Sequence, residues 1–155
     1  MIEAGTAAPS FVGSTADGRT LDFATYRGRP VVLYFYPKAN TAGCTMEARG
    51  FTEHYAELQR AGIEVVGVSV DSVADQKSFA LKCGVPYALV ADHDKSIAKL
   101  YGVLGFLGIA KRVTFFIGPD GTVAEVVQGM LPGPHVERAV ARARAPAPPD
   151  YSRSK

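Results

Sequence analysis

The sequence predicts an α/β domain in which a mixed β-sheet is flanked by helices and preceded by an N-terminal β-hairpin. Three observations carry that prediction. Residues 31–36 (Val-Val-Leu-Tyr-Phe-Tyr) form an unbroken apolar run closed by Pro30 and Pro37, the pattern of a strand buried on both faces of a sheet. Further apolar runs alternate with stretches of helical periodicity, as layered α/β architectures require. The last two runs are joined by Gly118-Pro-Asp-Gly121, a turn that brings the chain back beside itself before a final helix.

Each element follows in order. Residues 3–12 are small and carry Pro9, so they read as extended. Asp17-Gly18 marks a hairpin turn, and the return strand starts at Thr20 and Leu21. After the central run, Phe51, Tyr55 and Leu58 recur at helical spacing with Glu47, Glu53, Glu57 and Arg60 on the other face; one amphipathic helix is expected from Cys44 to a stop at Gly62. Residues 63–70 form a second apolar strand. Ser72 with Asp75 has capping-box spacing for a helix to about residue 82, closed by Gly84 and Pro86. A short strand at 87–91, a small helix capped by Asp94, a glycine-rich loop at 102–108 and the hairpin strands at 113–117 and 122–127 lead to a helix over 134–144. The expected division is one domain at 1–144 and a disordered tail at 145–155, rich in Pro and Ala.

Charge and composition narrow the function. Seventeen basic and fifteen acidic residues leave a net charge of +2, too little to support nucleic-acid binding. No apolar run approaches a membrane-spanning length, and the N-terminus has no signal-peptide pattern, so a cytoplasmic protein with no membrane partner is expected. Two cysteines in 155 residues are too few for a disulfide scaffold and point instead to reduced or redox-active thiols.

Cys44 is the candidate for chemistry. It lies where a polar turn gives way to a helix, and the unpaired amides and positive dipole end at such a place favour a thiolate. Thr41 lies three residues earlier, with a hydroxyl able to bond a thiolate or an adjacent oxygen. The segment Cys44-Thr-Met-Glu47 lacks a second cysteine, which excludes dithiol exchange of the Cys-x-x-Cys kind.

The pattern Pro37-x-x-x-Thr41-x-x-Cys44, embedded in Phe35-Tyr-Pro-Lys…Asn-Thr-x-Gly-Cys-Thr-x-Glu-Ala, resembles the active-site motif of the peroxiredoxins in their bacterioferritin-comigratory or Q-type branch. The similarity extends through Gly5-x-x-Ala-Pro9-x-Phe11, Val66-Gly-Val-Ser-x-Asp71, Leu89-Val-Ala-Asp92, Arg112-Val-Thr-Phe115 and Asp120-Gly121. The resemblance implies a thioredoxin-like fold and reduction of hydrogen peroxide and organic hydroperoxides without metal or organic cofactor. It implies that Cys44 is the peroxidatic nucleophile, that Thr41 bonds the peroxide, that Pro37 shields the sulfur, and that Arg112 favours the thiolate and stabilises the developing charge. Glu47 occupies an acidic position that orients the arginine in this branch, although an exposed first-turn glutamate would read the same way. A thioredoxin-like or other thiol reductant and a monomeric state are implied as well.

One departure matters. Many members of the branch carry a resolving cysteine five residues after the peroxidatic one, and here that residue is Arg49. Another subgroup places it on the helix that ends here at Cys83, so a Cys44–Cys83 disulfide requiring local unwinding is the leading expectation. A packed Cys83, with an external thiol resolving Cys44, is the alternative. A thioredoxin-fold peroxide sensor or chaperone, and a metal site built from the cysteines and a histidine, are readings from other classes. His54, His93 and His135 show no ligand spacing and are expected at the surface.

Overall fold

The computed structural model describes residues 1–145. The expected disordered tail lies, from residue 146 onward, outside the described residues. Among those residues the order is β1 (Val12–Thr15), β2 (Thr20–Asp22), β3 (Val31–Phe35), α1 (Ala42–Glu53), α2 (Tyr55–Arg60), β4 (Glu64–Ser69), α3 (Val73–Cys83), β5 (Ala88–Ala91), α4 (Ser96–Tyr101), β6 (Val113–Ile117), β7 (Val123–Gln128) and α5 (Gly133–Arg144). The strands form one sheet in the order β2-β1-β5-β4-β3-β6-β7. β3, β4 and β5 run parallel, and the other pairings are antiparallel.

β3 lies inside the sheet, between β4 and β6, as its apolar residues require, and all of them are buried. Its period of two divides them between two cores. Leu33 and Phe35 join Phe11, Phe23, Val66, Tyr101 and Phe115 on one face. Val32, Tyr34 and the following Tyr36 join Ala48, Phe51, Leu58, Phe79, Tyr87 and Ala139 on the other, beneath α1, α2, α3 and α5. The second face carries a packed array of tyrosines: Tyr34 lies 5.4 Å from Tyr36 and 6.0 Å from Tyr87, centroid to centroid.

Two helices differ from expectation for identifiable reasons. The long helix predicted from Cys44 to Gly62 is two helices, broken at His54, whose φ of −97° and ψ of 4° leave the α ladder. Thr52 Oγ1 donates to the Ala48 carbonyl at 2.7 Å, and such back-bonding competes with the helix's own amides and bends it. The small helix predicted to be capped by Asp94 takes its main cap from Asp92. That buried carboxylate accepts from the amides of Ile97 at 3.0 Å and Ala98 at 2.7 Å, while Asp94 takes only the Ser96 amide.

The expected start and stop of α3 hold. Ser72 Oγ accepts from the Asp75 amide at 3.2 Å. Gly84 closes the helix with φ of +62°, a left-handed conformation that favours glycine. In the glycine-rich loop, a bridge between Leu104 and Ala110 ties the base and leaves Phe106 98% exposed at the tip.

Candidate active site

The chain leaves β3 through Pro37 and turns at Asn40, which has φ of +64°. The turn is held from the segment that follows β4: the Ala39 amide donates to Asp71 Oδ2 at 2.7 Å. Thr41 is the residue before α1, exposed, with its hydroxyl donating to the Lys38 carbonyl at 2.9 Å. Pro37 is half-buried beside this turn. Cys44 follows in the first turn of α1 and is 1% exposed. The residue thus belongs to the turn whose amides lack intrahelical partners, at the positive end of the dipole.

Arg112, expected from the resemblance to approach from a neighbouring strand, does so from the residue before β6. Its Nη2 donates to Cys44 Sγ at 3.4 Å, its Nη1 donates to Glu47 Oε1, and its Nε donates to the Met130 carbonyl at 2.9 Å. The guanidinium is buried. A side chain at Gly43 would put a Cβ 3.0 Å from Nη2, so the glycine leaves the space through which Arg112 reaches the sulfur. Burial opposes the charge on Arg112, but Glu47 and Cys44 outweigh it and hold the group above its ordinary value.

Glu47 is expected with the charged residues on the solvent face of its helix, and the structure corrects that: its exposure is 0%. Cys44, Glu47, Ala48 and Phe51 share the buried face of α1, an i, i+3, i+4, i+7 set. The apolar stripe that starts at Phe51 continues backward into polar residues because a counter-ion waits for the carboxylate. Burial pushes the Glu47 carboxyl up to about 7, with Arg112 pulling the other way. One carboxylate oxygen is paired with Arg112; Oε2 is buried with no hydrogen-bond partner.

His135 is the second correction. Expected at the surface, it is fully buried on α5. Its Nδ1 lies 2.7 Å from Thr114 Oγ1 and 3.9 Å from Glu47 Oε2, and its Nε2 lies 2.8 Å from the Gly129 carbonyl. The available signal was its spacing from Ala139, four residues on along the buried face of α5. His54 is half-buried and His93 exposed. Among the described residues no three His, Cys, Asp or Glu side chains gather as a metal-binding group.

Cys83 is the last residue of α3, 8% exposed, in the same apolar core as Cys44. Both thiols are free. Four residues beyond Cys83, the Tyr87 hydroxyl donates to the Ala48 carbonyl at 3.2 Å and meets the Tyr34 hydroxyl at 2.7 Å, linking the segment after α3 to the helix that carries Cys44. Arg49, one residue past Ala48, is exposed. Among the described residues no helix is long and apolar enough to cross a membrane.

Comparison with known proteins bears on this arrangement. The model of the AhpC/TSA family matches residues 4–126. A peroxiredoxin named bcp from Coxiella burnetii is 38% identical over 149 residues, covering 91% of this chain and 98% of that protein. The crystal structure of peroxidoxin BcpB from Mycobacterium tuberculosis superposes with a TM-score of 0.86 at 32% identity, covering 93% of this chain and 97% of that one. A bacterioferritin comigratory protein of Xanthomonas campestris, whose structures are described in terms of alkyl peroxide reduction, gives a TM-score of 0.84 at 27% identity over 92% of this chain and 98% of its own. The likeness in backbone and in sequence runs through both the sheet and the Cys44 helix, and the chain belongs to the AhpC/TSA family as a peroxiredoxin with a thioredoxin-like fold, a thiol peroxidase that takes a peroxide substrate and a thiol reductant.

Proposed function

We propose that Cys44 is the peroxidatic nucleophile of this enzyme and that organic hydroperoxides are substrates alongside hydrogen peroxide. The observation that carries the assignment is the 3.4 Å contact from Arg112 Nη2 to Cys44 Sγ at the start of α1. A fixed guanidinium and free helix amides stabilise both the thiolate and the charge that develops on the departing oxygen. The thiolate attacks the terminal oxygen of ROOH, the O–O bond breaks, and the alkoxide leaves and takes up a proton as ROH, leaving Cys44 as the sulfenic acid. In this reading the Thr41 hydroxyl turns from the Lys38 carbonyl to hold the peroxide, Pro37 limits water at the sulfur, and Glu47 orients Arg112.

Resolution follows by attack of the Cys83 thiol on the sulfenic sulfur, which forms a Cys44–Cys83 disulfide and releases water. A dithiol donor of the thioredoxin class then reduces the disulfide and is itself oxidised. A disulfide needs Cα atoms within about 7 Å and a matching side-chain geometry. Both thiols begin inside helices, so α3 unwinds at its C-terminus for the bond to form. The burial of Cys83 within α3 favours a second reading in which it only packs and an external thiol reduces the sulfenic acid directly. The enzyme is further taken to act in the cytoplasm as a monomer, with residues 1–144 as the catalytic domain.

Intact-mass analysis after one equivalent of peroxide, followed by alkylation, tests this cycle. Expected are a monomer with neither thiol alkylatable, and a Cys83→Ser variant carrying one added oxygen on Cys44. A wild-type protein that holds a stable sulfenic acid beside a free Cys83 supports the external-thiol reading. Peroxide turnover at the wild-type rate by Cys44→Ser overturns the nucleophile assignment.

A further inference from the structure

The contacts of Arg112 do not end at Cys44 and Glu47. Two groups besides the sulfur hold its fork, Glu47 Oε1 and the Met130 carbonyl, and His135 lies against both supports. Its Nε2 faces the carbonyl of Gly129, the residue before Met130, at 2.8 Å. A carbonyl only accepts, so Nε2 carries a proton. Burial, with the nearby Arg112 charge, pushes His135 below its ordinary value, although the Gly129 bond works the other way. The neutral ring then offers a lone pair at Nδ1, and the Thr114 hydroxyl at 2.7 Å donates to it. Thr114 stands on β6 two residues after Arg112, paired in register with Tyr34 of β3. The imidazole is therefore fixed at both nitrogens, with exposure of 0%.

The unpartnered Oε2 of Glu47 looks onto this ring at 3.9 Å from Nδ1. The charged groups facing the imidazole are Glu47, from α1, and Arg112, from the segment before β6. The ring and the carboxylate are in proximity without a hydrogen bond of their own, so the ring limits where Oε2 can move. We propose that His135 is a positioning residue of the peroxidatic centre: by holding the Gly129–Met130 backbone and backing the free edge of Glu47, it keeps the Arg112 guanidinium directed at Cys44.

The proposal rests on the reading of Cys44 and Arg112 given above, and its test separates the two. The readout is the pH profile of Cys44 alkylation, measured in the Cys83→Ser background, together with the second-order rate of peroxide reduction. Three variants are compared. His135→Phe keeps a buried ring but removes both polar atoms. His135→Gln keeps a donor that reaches the Gly129 carbonyl. Thr114→Val removes the donor to Nδ1 while preserving shape, and it serves if His135→Phe does not fold.

For His135→Phe the alkylation profile moves to higher pH by about one unit and the peroxide rate falls about tenfold, the size expected when a nearby charge is no longer held in place. His135→Gln stays within about threefold of the parent, because a single neutral hydrogen bond of modest net worth is retained. Thr114→Val shifts in the same direction by less. An alkylation profile unmoved in both His135→Phe and Thr114→Val, whatever their thermal stability, overturns the proposal. Arg112→Met is the control. If it too leaves the profile unmoved, the assignment of Arg112 fails; if it alone moves the profile, the inference about His135 fails by itself.

Discussion

Cys44 and Cys83 are the same residue type in the same apolar core, each nearly inaccessible to solvent and each on a helix. They sit at opposite ends of their helices. Cys44 is in the first turn of α1, at the positive end of the helix dipole, and a buried guanidinium reaches it at 3.4 Å. Cys83 is the final residue of α3, where unpaired carbonyls collect and negative charge is disfavoured. No hydrogen bond to its sulfur is found among the described residues. Burial is thus common to both and distinguishes neither. The helix end and the counter-charge make the difference, and the proposed roles of nucleophile and resolving partner rest on that difference.

The strongest way to break that contrast is Arg112→Met. Loss of one preorganised charge at a reacting centre lowers the first-turnover rate with peroxide by about a hundredfold, while the alkylation rate of Cys83 stays at the wild-type value. Rapid-mix peroxide consumption and residue-resolved alkylation measure the two. An equal change at both cysteines would show that the substitution had merely loosened the core.

A smaller effect separates the electrostatic cost of the two sites. The Glu47 carboxyl is raised from 4.5 to about 7 by burial, against the pull of Arg112. Between those values the folded state keeps a proton that the unfolded chain has released, so stability falls as pH rises through the window, by about 1–3 kcal/mol. His135, lowered from 6.5 by burial, has the opposite slope: its contribution is lost as pH falls below its unfolded value. Glu47→Gln removes the first slope and leaves the second. Thermal melts are therefore expected to show the variant gaining on wild type from about pH 5 to about pH 8, while Cys83→Ser runs parallel to wild type. A variant-to-wild-type difference that does not change with pH would mean that Glu47 stays ionised throughout.

The smallest predicted effect sharpens the Cys83 side. Gly84 has φ of +62°, and a methyl group on its α-carbon would point into open space, so Gly84→Ala costs about 1 kcal/mol of backbone strain rather than a clash. Fraying of the α3 terminus then speeds Cys83 alkylation about fivefold, with Cys44 unaffected. Equal alkylation of Cys83 in both proteins would place its exposure under global rather than local opening.

Much of the fold is legible in the residues. The run between Pro30 and Pro37 is a fully buried interior strand beside the central one, Asp17-Gly18 turns the N-terminal hairpin, and Gly84 ends α3 as its composition implies. Cys44 at a helix start can be read from the polar turn before it. Glu47 and His135 are harder, because their polarity suggests exposure whereas each belongs to a buried face by spacing. Their partners are remote in the chain: Arg112 lies 65 positions from Glu47, and Thr114 lies 21 from His135. Contacts between a helix and a remote strand leave no trace in local periodicity. The break at His54 depends on a Thr52 hydroxyl choosing a carbonyl, a competition that helix propensity does not resolve.

The tyrosines packed beneath α1 carry an optical consequence. The chain has seven tyrosines and no tryptophan, so excitation energy collected by tyrosine has no indole to drain into. Tyr34 stacks on Phe51 of α1 at 4.6 Å and shares a hydroxyl contact with Tyr87, just beyond Cys83. The near-ultraviolet circular dichroism and emission of this cluster are therefore native reporters in contact with the helix that carries Cys44 and with the segment after Cys83, and the protein can be followed through its redox states without a label.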